Sequence, residues 1–500
     1  MSERLARSFT LVMTLSVVAS AMSPAHLDAR ADDQSQMQPQ QYERRMFWRE
    51  EAGRPTVFET ESMLIAVSQS AYWYIETQLP QSHLLNYTQD QMDNITSRFE
   101  TKVLPLLHSA FGFEPLPPSD VDADPRTTIL ITADLGRFSA RNALPVSADP
   151  LSNAREMIYV RYELGIESLL GMVAHEFTHL IQSNYDPAEE GWMSEGLAMT
   201  AQVWSGFGIS LGGWFLANTS AGLWSGRDST WVDYGGRELL IRYMADHYGA
   251  ENFTRFLTQD PTRGMASVEE ALAAWGNGTT FQSVFRDWLV ANLVGNQTTE
   301  GDRYRYATPV GRAQVNFVVR GYPWNATVQL LSGGGAAYIR LEQVAGATPL
   351  EVTVGTSVDT VVAFVVVDSG ESVTLIDATP VTGGFRIGLE SISGTSSVTL
   401  VLGDMDVVRS TPVDIAVRVE PKPPPEDLRW MLLLVLAVVL LLSMALLLPR
   451  IRRRTGALGR RKQGVTQGVS TPREKANGLT THDSVSDSIA LEDSSLPARR

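Results

Sequence analysis

The sequence predicts an α+β domain, then an all-β sandwich, then one C-terminal transmembrane helix and a disordered tail. Three observations predict this order. Between about residues 54 and 300, apolar residues recur at helical spacing in several segments, interleaved with short β-branched runs. From about 305 to 420 the helical period disappears and short alternating strands are punctuated by Gly, Ser, Asp and Pro. Trp430 to Leu448 is a run of 19 residues without a charge.

Composition sets the outer limits. A chain of 500 residues that is 44% hydrophobic and 19% charged is globular and large enough for two or more folded units. It contains no cysteine. That excludes a disulfide scaffold, a cysteine nucleophile and a thiolate metal site, so any zinc must sit on His and carboxylate ligands. The net charge of −15 is unevenly spread. Residues 449–500 carry 11 Lys+Arg and 5 Asp+Glu, a balance of +6, which leaves −21 on the rest. So acidic a body repels phosphate backbones and excludes nucleic acid as its partner.

Residues 1–31 read as an export signal. Arg4 and Arg7 precede a short apolar stretch, Phe9 to Met22, and small-x-small sites follow at Ala19-Ser20-Ala21 and Ala29-Arg30-Ala31. Residues 32–53 form a polar lead-in. In the α+β domain, 54–303, Leu64 to Val67 and Ala71 to Ile75 suggest a β pair. Gln91 to Phe111 has the spacing of a single helix, with Ile95, Phe99, Val103, Leu104 and Leu107 on one face. Thr127 to Thr132 and Glu156 to Val160 are short buried strands. Helices are predicted over 167–182, 193–203, 234–247, 267–275 and 281–293.

The sandwich, 304–420, is predicted from strands near 315–319, 337–341, 361–367, 385–389, 398–402 and 415–419. Gly333-Gly334-Gly335 has no helix after it and reads as a hairpin turn rather than a phosphate cradle. A proline-rich stalk, 421–429, leads to the span at 430–448. A helix of that length covers about 28 Å, close to the hydrocarbon thickness of a bilayer. Arg450, Arg452, Arg453 and Arg454 follow at once, so the positive-inside rule places the tail 449–500 in the cytoplasm and the body outside. The expected location is a cell membrane, crossed once. A cysteine-free body outside the cell fits a bacterial envelope protein.

His175-Glu176-Phe177-Thr178-His179 falls inside the predicted helix 167–182. Residues i and i+4 share a helix face, so both imidazoles can address one ion, while Glu176 can reach a metal-bound water without ligating. Two histidines and a glutamate on a helix with an apolar face need partners, which argues against an incidental grouping. A third ligand is required. Glu195, after 15 intervening residues and at the start of the next predicted helix, is the choice, because a ligand on a rigid element is better fixed. Asp186, Glu189 and Glu190 compete from the loop between.

HEFTH followed by WMSEGLA resembles the gluzincin zinc metallopeptidases, most closely the hyicolysin-type neutral peptidases. The resemblance covers roughly 60–300 and is specific around 153–200. It implies a zincin-like fold, one catalytic Zn2+ held by His175, His179 and Glu195, Glu176 as general base, and a peptide or protein substrate. Asn153 to Tyr159 resembles the segment before the catalytic helix, where family members use an edge strand to hold the substrate backbone. No G-x-M-E-N is present, so an endopeptidase is expected rather than an aminopeptidase. Tyr234 is the expected oxyanion donor by the same resemblance, with His247 as the runner-up. Two other readings compete: a surface binding or adhesion protein whose peptidase-like domain is inactive, and a structural metal site without turnover.

Overall fold

The computed structural model describes residues 43–50, 57–79, 87–115, 120–133, 137–138, 144–162, 165–224, 230–295, 301–330, 333–342, 344, 350–356, 360–389, 397–406, 413–421, 430–431 and 433–443. The predicted signal, most of the lead-in, nearly all of the stalk and the basic tail lie outside these. The chain divides into two compact units, Met1–Lys422 and Pro423–Arg500.

The first unit begins with a six-stranded sheet. Its strands are β1 (Arg44–Glu50), β2 (Val57–Val67), β3 (Ala71–Glu76), β4 (Thr127–Thr132), β5 (Arg137–Phe138) and β6 (Met157–Arg161). They lie in the order β1-β2-β3-β4-β6-β5. The first three form an antiparallel meander, β3, β4 and β6 run parallel, and β5 pairs antiparallel with β6. Strand β1 lies within the segment expected to be a loose lead-in. Its Arg and Glu ends flank only a short apolar centre, Met46-Phe47-Trp48, which hides the strand in the sequence although β2, its antiparallel partner, follows directly. Phe47 packs edge-on against Tyr74, 5.0 Å between ring centroids. The backbone of Trp48 is held from both sides by the Asn153 side chain, at 2.8 Å each, and its carbonyl accepts from the Tyr159 hydroxyl at 2.7 Å.

The crossover from β3 to β4 is helical. It runs through α1 (Gln89–Arg98), one π-helical turn (Phe99–Val103) and α2 (Leu104–Ala110). A single regular helix was expected there. Pro105 explains the difference: it has no N–H to give to the residue four back, and its ring crowds that carbonyl, so the turn before it widens. The five residues on the predicted face are all buried.

The remaining helices are α3 (Ile166–Tyr185), α4 (Gly191–Trp204), α5 (Gly212–Ala217), α6 (Trp231–Tyr248), α7 (Glu251–Gln259), α8 (Gly264–Trp275) and α9 (Phe281–Val294). Ile129, Ile131, Ile158 and Val160 on one sheet face meet Leu169, Val173, Phe177 and Leu180 of α3 in one apolar core. Helices α5 and α7 were not anticipated, the first because six residues are too few to show a period.

The sandwich has two five-stranded sheets. One is formed by β13 (Thr379–Val381), β14 (Gly384–Leu389), β10 (Leu350–Gly355), β16 (Val413–Pro421) and β8 (Trp324–Leu330). The other is formed by β12 (Val373–Asp377), β11 (Val361–Asp368), β15 (Ser397–Asp404), β9 (Ala336–Leu341) and β7 (Phe317–Val319). The second sheet is covered on both faces. Ile339, Val365 and Leu400 face the first sheet, whereas Tyr338, Phe364 and Val401 join the core of the α+β region. That double burial explains why β11 reads as the continuous run VVAFVVV.

The two regions therefore share a core, with no linker at 303–304. The Tyr338 hydroxyl donates to the Leu289 carbonyl at 3.0 Å, and a Cβ on Gly403 would stand 2.6 Å from Leu289 Cδ1. Gly333 to Gly335 join β8 to β9, which belong to different sheets, so the segment is a crossover and not the expected hairpin turn. The Leu223 N–H donates to the Gly333 carbonyl at 2.8 Å, and a Cβ on Gly333 would meet the Asp406 carbonyl at 1.8 Å. Glycine is there because the Asp406 carbonyl of the sandwich and the Trp224 indole of the α+β region both come too close for a side chain.

In the second unit, residues 430–431 and 433–443 are helical, and Trp430, Met431, Leu433 to Leu436 and Val438 to Leu442 are exposed. No helix among the described residues is long and apolar enough to cross a membrane. Residues 432 and 444–448 of the predicted span lie outside them.

The shared core has a measurable consequence. Residues 43–303 expressed alone would expose Phe285, Trp288 and Leu289, and are expected to aggregate or to unfold without a cooperative transition. A soluble fragment with a sharp calorimetric transition would contradict this.

Candidate metal centre

Helices α3 and α4 are antiparallel neighbours joined by the loop 186–190. Three carboxylates anchor that loop. Asp186 takes a bidentate pair from Arg263 at 2.7 and 2.9 Å, Glu189 accepts from the Gly264 N–H at 2.9 Å, and Glu190 accepts from the Trp192 indole at 2.7 Å. The competitors for the third ligand position thus fix the loop against the start of α8, and the loop sets where α4 begins.

Glu195 lies in the second turn of α4, facing α3. Its Oε2 is 3.3 Å from His175 Nε2 and 3.5 Å from His179 Nε2, and the two Nε2 atoms are 3.3 Å apart. Zinc bound tetrahedrally at about 2.0–2.1 Å from N and O ligands would separate those ligands by about 3.3–3.4 Å. The three atoms therefore already stand as one face of a zinc coordination tetrahedron. Glu195 Oε2 is buried and has no hydrogen-bond partner, the condition expected of an atom whose partner is a cation.

The protonation of His179 follows from its surroundings. The Ser194 hydroxyl donates to Gln182 Oε1 at 2.6 Å, so Ser194 Oγ and Gln182 Oε1 both face His179 Nδ1 as acceptors, at 3.1 and 3.2 Å. Nδ1 therefore holds its proton whatever the charge of the ring, and Nε2 points into the cluster, where its lone pair is free for a cation once the second proton leaves. The Gln182 amide also donates to the Ser194 carbonyl at 3.1 Å, tying α3 to α4. His175 has no such support: its Nδ1 is buried without a hydrogen-bond partner.

Charge balances accordingly. Burial pushes the Glu195 carboxyl up, but the charge of His179 and the close approach of both imidazoles hold it well below the ordinary range. Burial pushes His179 down, and the Glu195 carboxylate beside it reverses this and lifts it to about 9.

Glu176 is buried, 6% exposed, and lies near enough to act electrostatically on both His179 and Tyr234. Tyr234, in the first turn of α6, has its phenol beside Glu195. Burial and then that carboxylate push the phenol well above its ordinary range, so it keeps its proton. Helix α6 comes this close because Gly196 follows Glu195: a Cβ there would stand 2.8 Å from Ile241 Cγ1. His247 is excluded as the alternative donor. It lies 13 residues along α6, about 20 Å away at 1.5 Å per residue, and its Nε2 meets the Arg305 carbonyl at 2.9 Å.

The structure adds residues that the sequence reading passed over. Gln182 stands at i+3 from His179, so helical spacing could have flagged it. Ser194 and Arg237 had no such signal. The Arg237 guanidinium lies 5.6 Å from the Tyr234 ring centre, with its Nε donating to the Leu223 carbonyl at 2.7 Å. Strand β6 contains the end of the Asn153–Tyr159 segment and is not an edge strand, because β5 lies outside it.

No family model and no curated protein matches this chain. Among solved structures, PliG, a periplasmic inhibitor of g-type lysozyme from Salmonella Typhimurium, matches with 11% identity over 22% of this chain and 100% of its own, at a TM-score of 0.15. A likeness that low bears on neither fold nor function.

The Gln182–Ser194 pair is expected to tune metal affinity. Ser194→Ala together with Gln182→Leu should weaken zinc binding about 10–100-fold in a chelator competition, with folding retained. Unchanged affinity would remove the pair from the site.

Proposed function

We propose that this protein is a zinc metallopeptidase that hydrolyses peptide bonds of peptide or protein substrates outside the cell while anchored by the apolar segment 430–448. The observation that supports it most is the spacing of His175 Nε2, His179 Nε2 and Glu195 Oε2 at 3.3–3.5 Å, the edge of a zinc tetrahedron, with a buried carboxylate alongside. His175, His179 and Glu195 would hold the ion. When bound, zinc supplies Lewis acidity and brings the pKa of a water near 7.

The chain's own groups do the rest. In this reading Glu176 takes a proton from the attacking water and hands it to the leaving amine. Its burial beside His179 and Tyr234 fits this task, since a base in a dry site transfers protons without competition from bulk water. Tyr234, kept protonated by burial and by Glu195, offers an O–H to the oxyanion that forms as the carbonyl is attacked. Arg237 over the Tyr234 ring holds that phenol in place. The outer side of β5 has no strand partner among the described residues, and could accept the backbone of an extended substrate by β-addition. A free N-terminus has no dedicated acidic motif to meet it, in keeping with endopeptidase action.

Glu176→Gln should retain zinc and lose casein hydrolysis by about 10²–10⁴-fold. Equal activity in parent and variant would end the assignment, and a zinc-free, inactive parent would favour the binding-protein reading. Tyr234→Phe should lower kcat by about 10²–10³-fold with little change in KM. A change confined to KM would place Tyr234 in substrate binding instead.

A further inference from the structure

A second group of acidic side chains lies away from the zinc ligands, where the loop after α2 enters β4 and the residue before β6 comes beside it. One oxygen from each of Asp120, Asp122 and Glu156 lies within 4.8 Å of the others. We infer that these three residues form a calcium site that clamps the entry of β4 to the entry of β6.

The argument begins with burial. Asp120 is 7% exposed and Glu156 4% exposed, so both carboxylates are out of water. Each is fixed by one oxygen. Asp120 Oδ1 accepts the N–H groups of Asp122 and Ala123 at 3.1 and 2.9 Å, and Glu156 Oε1 accepts that of Val121 at 3.2 Å. The other oxygen of each, Asp120 Oδ2 and Glu156 Oε2, is buried with no hydrogen-bond partner. Leaving two carboxylate oxygens side by side, dry and unpaired, is costly unless a positive charge lies between them. Burial, with Asp120 adjacent, pushes the Glu156 carboxyl up to about 7, in keeping with the two unpartnered oxygens.

Charge and donor type select the ion. Arg155 approaches Asp122 at 3.4 Å and donates to Thr128 Oγ1 at 2.9 Å, but its Nε is unpaired and it does not quench the two orphaned oxygens. Three carboxylates and one guanidinium leave a net charge of −2, matched by one divalent cation. All donors are oxygen, which selects a hard ion over zinc or copper. Calcium accepts irregular oxygen shells completed by carbonyls and water, whereas magnesium demands a near-ideal octahedron. Asp124, next in the alternating Asp120-x-Asp122-x-Asp124 pattern, is already engaged by Tyr72 at 2.8 Å and by Arg126 at 2.9 Å. It braces the loop without joining the site.

The test uses the full, zinc-loaded chain, titrated with CaCl2 and in parallel with MgCl2, by calorimetry and thermal unfolding. One calcium ion per chain is expected to bind. At a hundredfold excess over Kd the thermal midpoint should rise by about 3–5 °C. Asp122→Asn, at an exposed position, should weaken calcium at least tenfold without changing zinc content or casein hydrolysis in calcium-free buffer. Glu156→Gln keeps the acceptor for Val121 and should abolish the shift. Calcium binding that survives both substitutions would place the ion elsewhere and overturn the assignment. So would absence of binding in the parent, with Glu156→Gln as stable as the parent or more so at pH 6–8; the two carboxyls would then share a proton. Because calcium binding and the thermal shift are read without catalysis, they stand or fall separately from the peptidase proposal.

Discussion

The arrangement of α3, α4 and α6 depends on bringing three nitrogen and oxygen atoms from two helices within 3.5 Å of one another inside a mostly apolar core. Two imidazoles and a carboxylate at that spacing are costly to bury without a positive charge among them. The surrounding structure meets that cost in stages. The loop 186–190 is tied down by three carboxylates, Gln182 and Ser194 lock His179 in one tautomer, and Gly196 lets α6 pass close enough for Tyr234 to reach the same point. Each device is modest alone. Together they hold the two Nε2 atoms and Glu195 Oε2 at 3.3–3.5 Å from one another.

Rigidity is imported from beyond the site. The second sheet of the sandwich is buried on both faces, and α9 lies between it and the rest of the helices. The sandwich therefore acts as a wall of the α+β core and not as an appended module. Glycines at 333 and 403 mark where the two regions press together, one at a backbone crossover and one beneath Phe285 and Leu289. Buried polar groups follow the same logic: in α6, Glu238 is held by Arg242 at 2.8 Å and caps the N–H of Leu211 at 2.8 Å, so a charged pair inside the core also positions the loop before α5.

Strand β6 connects the two acidic centres. Glu156 precedes it and α3, with its two histidines, follows it after four residues. Five residues of strand span about 17 Å. A cation clamping the entrance of β6 to that of β4 would stiffen the central parallel pair, which in turn supports the helix carrying His175 and His179.

Much of the site was legible from the residues alone, because its information is local. His175 and His179 share a face whenever the chain is helical, and the 3.6-residue period of Leu169, Val173, Phe177 and Leu180 makes it so. Strands with alternating burial, such as β10 with its pattern of Leu350, Val352 and Val354 inward, follow from a period of two once the chain is read as a sandwich, though β10 itself is short and passed unnoticed. Contacts between distant segments had no such signature: the outer position of β5, the burial of β11 on both faces, and Gly333 to Gly335 as a crossover between sheets. The orphaned oxygens of Asp120 and Glu156, 36 residues apart, belong to the same class. Sequence by itself determined which side chains could serve one ion, since helical geometry turns spacing into proximity. Only the tertiary structure decided which acid lies beside the two imidazoles and what braces it, because those contacts are made by chain segments whose separation is set by packing and not by any repeat along the chain.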